Sequence, residues 1–255
     1  MNEQHPEIVL PEDELKRNLR RRTRRDFLIG ALATAGAIGG YEWVTKAGDA
    51  NGRPWPQRRV LNFNGKLGHA YLSDSHLMPT FRRDQVGWLK PNGDIGLKEP
   101  LDRENWQLQV DTGRSPALTL RLEDVAALPK VEMITRFCCI EGWSTVAYWG
   151  GARLSDFTRK YFPPGKPLSR FVYLETPGED YYVGLDSKSA MHPQTLLVYE
   201  QNGKPLEEQH GAPLRLIIPV KYGIKSIKRI GLIRYTDQKP DDYWAEEGYD
   251  WFAGL

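Results

Sequence analysis

The only two cysteines in this 255-residue chain are neighbours, Cys138 and Cys139. Across a trans peptide their Cα atoms lie about 3.8 Å apart, below the usual disulfide span of about 4.4–6.8 Å. No ordinary internal disulfide can staple the fold, so a hydrophobic core must hold it. The composition allows one: 40% of the residues are hydrophobic, with 8 Trp, 12 Tyr and 8 Phe. That content excludes general disorder, which goes with few aromatics and high net charge. The 24 glycines and 18 prolines call for many turns and point to a loop-rich, β-rich α+β fold.

The cysteines end an apolar run, residues 131–140, that reads as a buried strand. Adjacent side chains on a strand point to opposite faces. Cys139 then shares a face with Phe137 and Glu141, and Cys138 with Arg136 and Ile140, so only one thiol can face a given pocket. Two readings stand side by side. Free cysteines are often small buried hydrophobes, and a thiolate is also a good ligand for a soft transition metal. A thiol nucleophile is a weaker third reading, because no base is evident nearby in the sequence.

The N-terminus reads as an address. Lys16, Arg17, Arg20, Arg21, Arg22, Arg24 and Arg25 precede an apolar, Ala/Gly-rich run from Phe27 to about Gly40. A charged segment followed by a short apolar run has the form of an export signal. The run is shorter than the roughly 20 residues that span a bilayer comfortably. Arg24-Arg25-Asp26-Phe27-Leu28 has the twin-arginine form. Residues 1–50 are expected to be signal and linker, with 47–50 a candidate cleavage region, and 51–255 one domain. An uncleaved leader would leave a membrane tether. An exported bacterial protein enters an oxidising compartment, where coordination would protect a thiol. Overall, 35 basic residues face 33 acidic ones, a net charge of +2. No basic field for nucleic acid remains outside the leader.

Along the body, strands are expected at 106–111, 118–122, 170–175, 195–201 and 213–220, with alternation again at 227–235. Short helices are expected at 122–128, 154–162 and 187–191. Residues 46–80 read as mostly loop, 141–144 as a turn, and Asn202-Gly203 as a hairpin turn.

Several blocks, in order, resemble the sulfite-oxidase superfamily of molybdenum enzymes. They are Arg136-Phe137-Cys138-Cys139-Ile140-Glu141-Gly142-Trp143-Ser144, Trp149 to Leu154, Ala190 to Leu197, Asn202 to Leu206, His210 to Leu216 and Lys221 to Lys228. The resemblance covers roughly residues 60–240 and is closest to the branch of the periplasmic methionine-sulfoxide reductases. It implies a single sulfite-oxidase-type molybdopterin-binding domain. Its cofactors would be molybdenum and molybdopterin, with two dithiolene sulfurs and one protein cysteine on the metal. The family's ligand position falls on Cys139, leaving Cys138 a structural neighbour. Thr176, His210, Arg215, Ser226, Ile227 and Lys228 fall where the family grips its cofactor, and Arg82 and Arg83 fall in an N-terminal contact segment. Arginine forks and consecutive backbone N–H groups suit such an anion. Tyr181 falls at an active-site tyrosine position, with Tyr182 its competitor.

Other polar and aromatic residues have blander readings. His192 is expected to pack or cap before Pro193, and Trp143 and Trp149 to be core or pocket wall. Arg153 departs from the family pattern and would add charge near the site or face solvent.

The resemblance implies oxygen-atom transfer at molybdenum to or from a small-molecule substrate, with S-oxide or N-oxide reduction favoured and sulfite-type oxidation the alternative. No haem motif is present, so electrons would come from a separate, haem- or quinone-linked protein, membrane-bound or not. The location would be periplasmic. A non-catalytic module that keeps the fold for binding a cofactor or partner is the contrasting hypothesis.

Overall fold

A computed structural model describes residues 11–50, 53–100, 102–113 and 116–255. The described residues fall into two units, 11–50 with 54–57, and 53 with 58–255.

The first unit is dominated by helix α1, Glu12–Lys46, with Glu12, Asp13 and Glu14 in its first turn, where the helix dipole favours negative charge. Its apolar side chains are exposed, Phe27 at 74% and Leu32 at 73%. The apolar stretch runs further than the sequence reading allowed, because Tyr41, Trp43 and Val44 extend it past Gly40. An 18-residue window reaches a mean hydropathy of 1.3, enough to cross a membrane by length and composition. A signal sequence and a membrane anchor both present such a helix.

The second unit opens with the greater part of helix α2, Trp55–Tyr71. This overturns the expectation of loop across 46–80. Gly65 and Gly68 read as breakers, yet each lets the helix approach the C-terminal segment. A Cβ on Gly68 would sit 2.8 Å from the Phe252 ring, and one on Gly65 would sit 3.1 Å from Asp250. Arg58 fastens the same faces by donating to the Tyr249 and Ala245 carbonyls at 2.8 and 3.1 Å.

The strands are β1 Leu108–Asp111, β2 Leu118–Leu120, β3 Lys130–Cys138, β4 Ser144–Arg153, β5 Phe171–Glu175, β6 Tyr182–Asp186, β7 Leu196–Gln201, β8 Lys204–Pro205, β9 Arg215–Ile217 and β10 Leu232–Thr236. Helices α3 Leu122–Ala126, α4 Leu154–Tyr161, α5 Ser187–Ala190 and α6 Tyr243–Glu246 intervene. Strands β4 and β6 were not anticipated. One sheet runs β2-β1-β10-β5-β6, the other β3-β4-β7-β8 with β9 on β7. Only β1 and β10 pair in parallel among the described ladders. The fold is thus mixed α and β, rich in antiparallel strands.

Alternation sets the site. Strand β7 is buried on both faces: Leu197 joins the large core with Leu108, Val172, Val183 and Ile233, while Leu196 and Val198 join a smaller core with Met133, Trp149 and Ile217. On β3, Met133 and Thr135 are buried toward that smaller core, and Phe137 packs against it. Two residues on, Cys139 continues the same face, which is why it rather than Cys138 turns inward.

Candidate active site

Where β3 ends, a tight turn reverses the chain: the Trp143 carbonyl accepts from the Cys139 N–H at 2.9 Å, and the Cys139 carbonyl from the Gly142 N–H at 3.1 Å. This turn forms one wall of a cavity of about 160 Å³. Cys139 lines it together with Tyr181, Arg215, Ser226 and Lys228, and with Asn92, Phe137, Glu141, Trp143, Trp244 and Tyr249. Cys139 is buried at 8% exposure, while Cys138 is half-buried.

Polar contacts orient the thiol wall. The Asn92 amide donates to Cys139 Sγ at 3.6 Å and to Glu141 at 3.2 Å. Trp143 Nε1 donates to the other Glu141 oxygen at 3.0 Å. These two bonds hold the Glu141 carboxyl below the usual carboxylate range. Burial pushes the Cys139 thiol up, and nearby Lys90 and the Asn92 bond counter it in part.

Another part of the lining is basic. Arg215 shares its face of β9 with Ile217 and is 3% exposed. Its Nη1 donates to the His210 carbonyl at 2.8 Å and its Nη2 to the Ser226 carbonyl at 3.2 Å. Its cation lies over the Trp149 ring at 5.1 Å and the Phe137 ring at 5.9 Å. Its buried Nε has no acceptor, and among the described residues no carboxylate pairs with the guanidinium. Burial pulls its pKa down to about 9. An uncompensated buried cation is costly, and a bound anion would relieve it.

Past β9, a single 3-10 turn, Gly223–Lys225, leads into Ser226, Ile227 and Lys228. Lys228 donates to the carbonyls of Asn92, Gly93 and Gln209 at 2.8, 2.9 and 2.9 Å, clasping the 92–93 loop to this turn. The backbone N–H groups of Ile227 and Lys228 have no acceptor among the described residues. Unpartnered amides next to a cation suit a phosphate.

Of the remaining sequence-predicted residues, Tyr181 lines the cavity and the others stand behind or away from it. Thr176 is buried and accepts the Tyr181 N–H at 3.2 Å, bracing the turn that carries Tyr181. The Tyr181 hydroxyl donates to the Ile224 carbonyl, and burial raises its pKa, so it stays protonated. Tyr182 instead donates to Glu246 at 2.6 Å. His210 is buried, its imidazole pulled toward the neutral form by burial and by Arg215 and Lys228. Ile227 is fully buried in the large core, with its carbonyl accepting from Leu216. Arg82 pairs with Asp84 at the surface, and Arg83 lies over the Tyr148 ring at 5.0 Å. Neither lines the cavity, because residues 80–81 pair with β3 at Ile134 and Thr135 and carry both arginines onto the second sheet. Arg153 is exposed and donates to the Pro193 carbonyl at 3.3 Å. His192 is fully buried, and Trp149 is core.

Sequence reasoning missed Asn92, Trp244 and Tyr249. The run Pro91-Asn92-Gly93-Asp94 carries turn chemistry, but nothing in it locates the turn against Cys139.

Comparison with known proteins covers the stretch that carries the cavity's cysteine, arginine and serine. The profile of the family described as "Oxidoreductase molybdopterin binding domain" matches residues 96–244. This chain belongs to that family. Similar proteins include a putative protein-methionine-sulfoxide reductase subunit YedZ1 of Azospira oryzae, 34% identical over 163 residues, covering 64% of this chain and 60% of that protein. The protein-methionine-sulfoxide reductase catalytic subunit MsrP of Campylobacter jejuni is 35% identical over 182 residues, covering 63% of this chain and 60% of that protein. The MsrP of Xanthomonas axonopodis pv. citri is 36% identical, covering 55% of this chain and 48% of that protein. The matches thus span about half to 60% of the length of these relatives. In fold, the molybdopterin-binding domain is similar to the sulfane dehydrogenase SoxCD of Paracoccus pantotrophus. That likeness has a TM-score of 0.50 at 18% identity and covers 55% of this chain and 40% of the other.

Molybdenum and molybdopterin are the cofactors of this family. The cavity's donor set fits them: a soft sulfur, and a buried guanidinium lacking a counter-anion near backbone amides that have no acceptor among the described residues.

Proposed function

We propose that this protein is an exported oxidoreductase that reduces S-oxides, methionyl sulfoxides foremost, with electrons delivered by a separate membrane partner. The relatives' names supply the substrate and subunit analogy. The observation that carries the reading is the single cavity joining Cys139 to an uncompensated Arg215.

Within that reading, Cys139 supplies the protein's sulfur to the metal, and Asn92 orients it through Sγ. Arg215, Ser226 and the Ile227 and Lys228 amides hold the organic ligand's anionic end. Thr176 and His210 support those groups from behind, and Tyr181 stands beside them in the cavity wall. The cofactor, when bound, supplies two-electron oxygen-atom transfer. A sulfoxide takes up two electrons and two protons and leaves as a thioether and water. Ile140, Trp143, Trp244 and Tyr249 offer the apolar walls against which a thioether side chain would lie.

Residues 1–50 act as a twin-arginine leader on this reading, supported by Arg24-Arg25-Asp26-Phe27-Leu28 and the apolar stretch of α1. A cofactor inserted in the cytosol gives the protein reason to cross the membrane folded.

The test is protein purified from a molybdenum-replete host, assayed for metal and for sulfoxide reduction with a reduced dye. Near-stoichiometric molybdenum and methionyl-sulfoxide turnover are expected, both lost in Cys139→Ala. Full activity in that variant, or sulfite oxidation without sulfoxide reduction, overturns the reading.

A further inference from the structure

Among the described residues the site so far leaves two buried ion pairs unused, Lys221–Asp186 at 4.0 Å and the closer Lys225–Asp242. Lys225 is fully buried, yet it donates to the Asp242 carboxylate and, at 2.9 Å, to the Gly184 carbonyl. Asp242, 2% exposed, also accepts the Gly184 N–H at 3.1 Å and caps α6 through the Ala245 N–H at 3.1 Å. The lysine lies 4.7 Å from the centre of the Trp251 ring. Gly184 makes this approach feasible: a Cβ there would meet Trp251 at 2.8 Å and Pro240 at 2.9 Å.

The three segments tied here each feed the cavity. Lys225 directly precedes Ser226, and its neighbour Ile224 accepts the Tyr181 hydroxyl. Gly184 lies on β6, whose leading turn carries Tyr181. Asp242 opens the tail that brings Trp244 and Tyr249 to the cavity. Solvent cannot replace either partner, and removing one leaves the other charge buried and alone.

We propose that Lys225 and Asp242 are positioning residues. Their ion pair fixes the 223–228 turn and the 242–249 tail against β6, so that the cavity holds one shape before any cofactor arrives. The bracing is a property of the polypeptide alone; its consequence for cofactor retention rests on the proposed function.

The test compares full-length wild type with Lys225→Met, which keeps the side chain's length without its charge. A second variant, Asp242→Asn, keeps the cap on α6. Hydrogen exchange is followed in cofactor-free protein, and molybdenum content in loaded protein after prolonged dialysis. Amides at 223–228 and 242–249 should exchange at least tenfold faster in both variants, with β5 and β10 unchanged. Molybdenum retained after dialysis should fall about tenfold. Unchanged exchange in both segments overturns the proposal. So does an equal loss of protection across every strand in both variants, which would make the pair a general stability element. Faster local exchange in a chain whose wild type never binds molybdenum would sustain the bracing and sink the functional reading instead.

Discussion

Replacing Arg215 with methionine should separate what the guanidinium does for the fold from what it does for the ligand. In the cofactor-free protein, its loss strips donors from two carbonyls, His210 and Ser226. Each such hydrogen bond from a charged donor contributes about 1.5–3 kcal/mol net. Against that, a buried cation without a carboxylate partner costs several kcal/mol. The two effects nearly cancel, so the cofactor-free variant should be within about 2 kcal/mol of wild type, or more stable. At this size 1 kcal/mol moves Tm by about 2–4 °C, so melting should stay within several degrees or rise. The loaded protein behaves differently. A charge-assisted bond to an anion contributes about 1.5–3 kcal/mol, and losing it should weaken cofactor retention by roughly 10- to 100-fold. Thermal melts of cofactor-free protein and metal analysis after dialysis measure the two effects separately. A large drop in cofactor-free Tm together with unchanged molybdenum retention would refute the reasoning, because Arg215 would then be a structural residue with no anion to hold.

Cys138→Ser should leave molybdenum content and turnover within about twofold of wild type, because that side chain is on the opposite face of β3 from the cavity; equal loss in both cysteine variants would contradict the strand alternation. Tyr181→Phe should cost on the order of 1 kcal/mol in a denaturant melt by leaving the buried Ile224 carbonyl without its hydroxyl donor. Unchanged stability would mean that the bond contributes nothing. Burial draws Lys221 from 10.5 down to about 7. Between those pH values the unfolded chain binds the extra proton, so the lysine makes stability rise with pH across that window and contributes no slope below about 7, where both states carry the proton. Lys221→Met should flatten that slope, and an unaltered slope would show that Lys221 is not its source.

What the sequence revealed and what it hid follow from contact range. Period-two alternation is local, so the sequence showed that only one thiol could face a pocket, while the choice of Cys139 came from its place in the family pattern. In the structure Met133 and Thr135 are buried, Phe137 packs inward, and the next odd position is that thiol. Arg215 and Ser226 were legible only through their place in a family pattern, since nothing local tells a buried arginine from a surface one. Helix α2 was hidden because Gly65 and Gly68 look like breakers until Phe252 and Asp250, almost two hundred residues on, are seen packing on them. Asn92, Trp244 and Tyr249 reach the cavity through Lys228 and the Lys225–Asp242 pair, contacts across long stretches of chain that no local window carries. Arg82 and Arg83 show the converse. Their basic character suited an anion, but pairing of the preceding residues with β3 carried them elsewhere.

The central claim is that the sulfur of Cys139 binds the metal. X-ray absorption at the molybdenum edge of loaded protein counts sulfur neighbours directly. The account predicts that Cys139→Ser, loaded to whatever extent it accepts metal, shows one sulfur fewer than wild type while Cys138→Ser shows the wild-type number. An unchanged sulfur count in Cys139→Ser would contradict it.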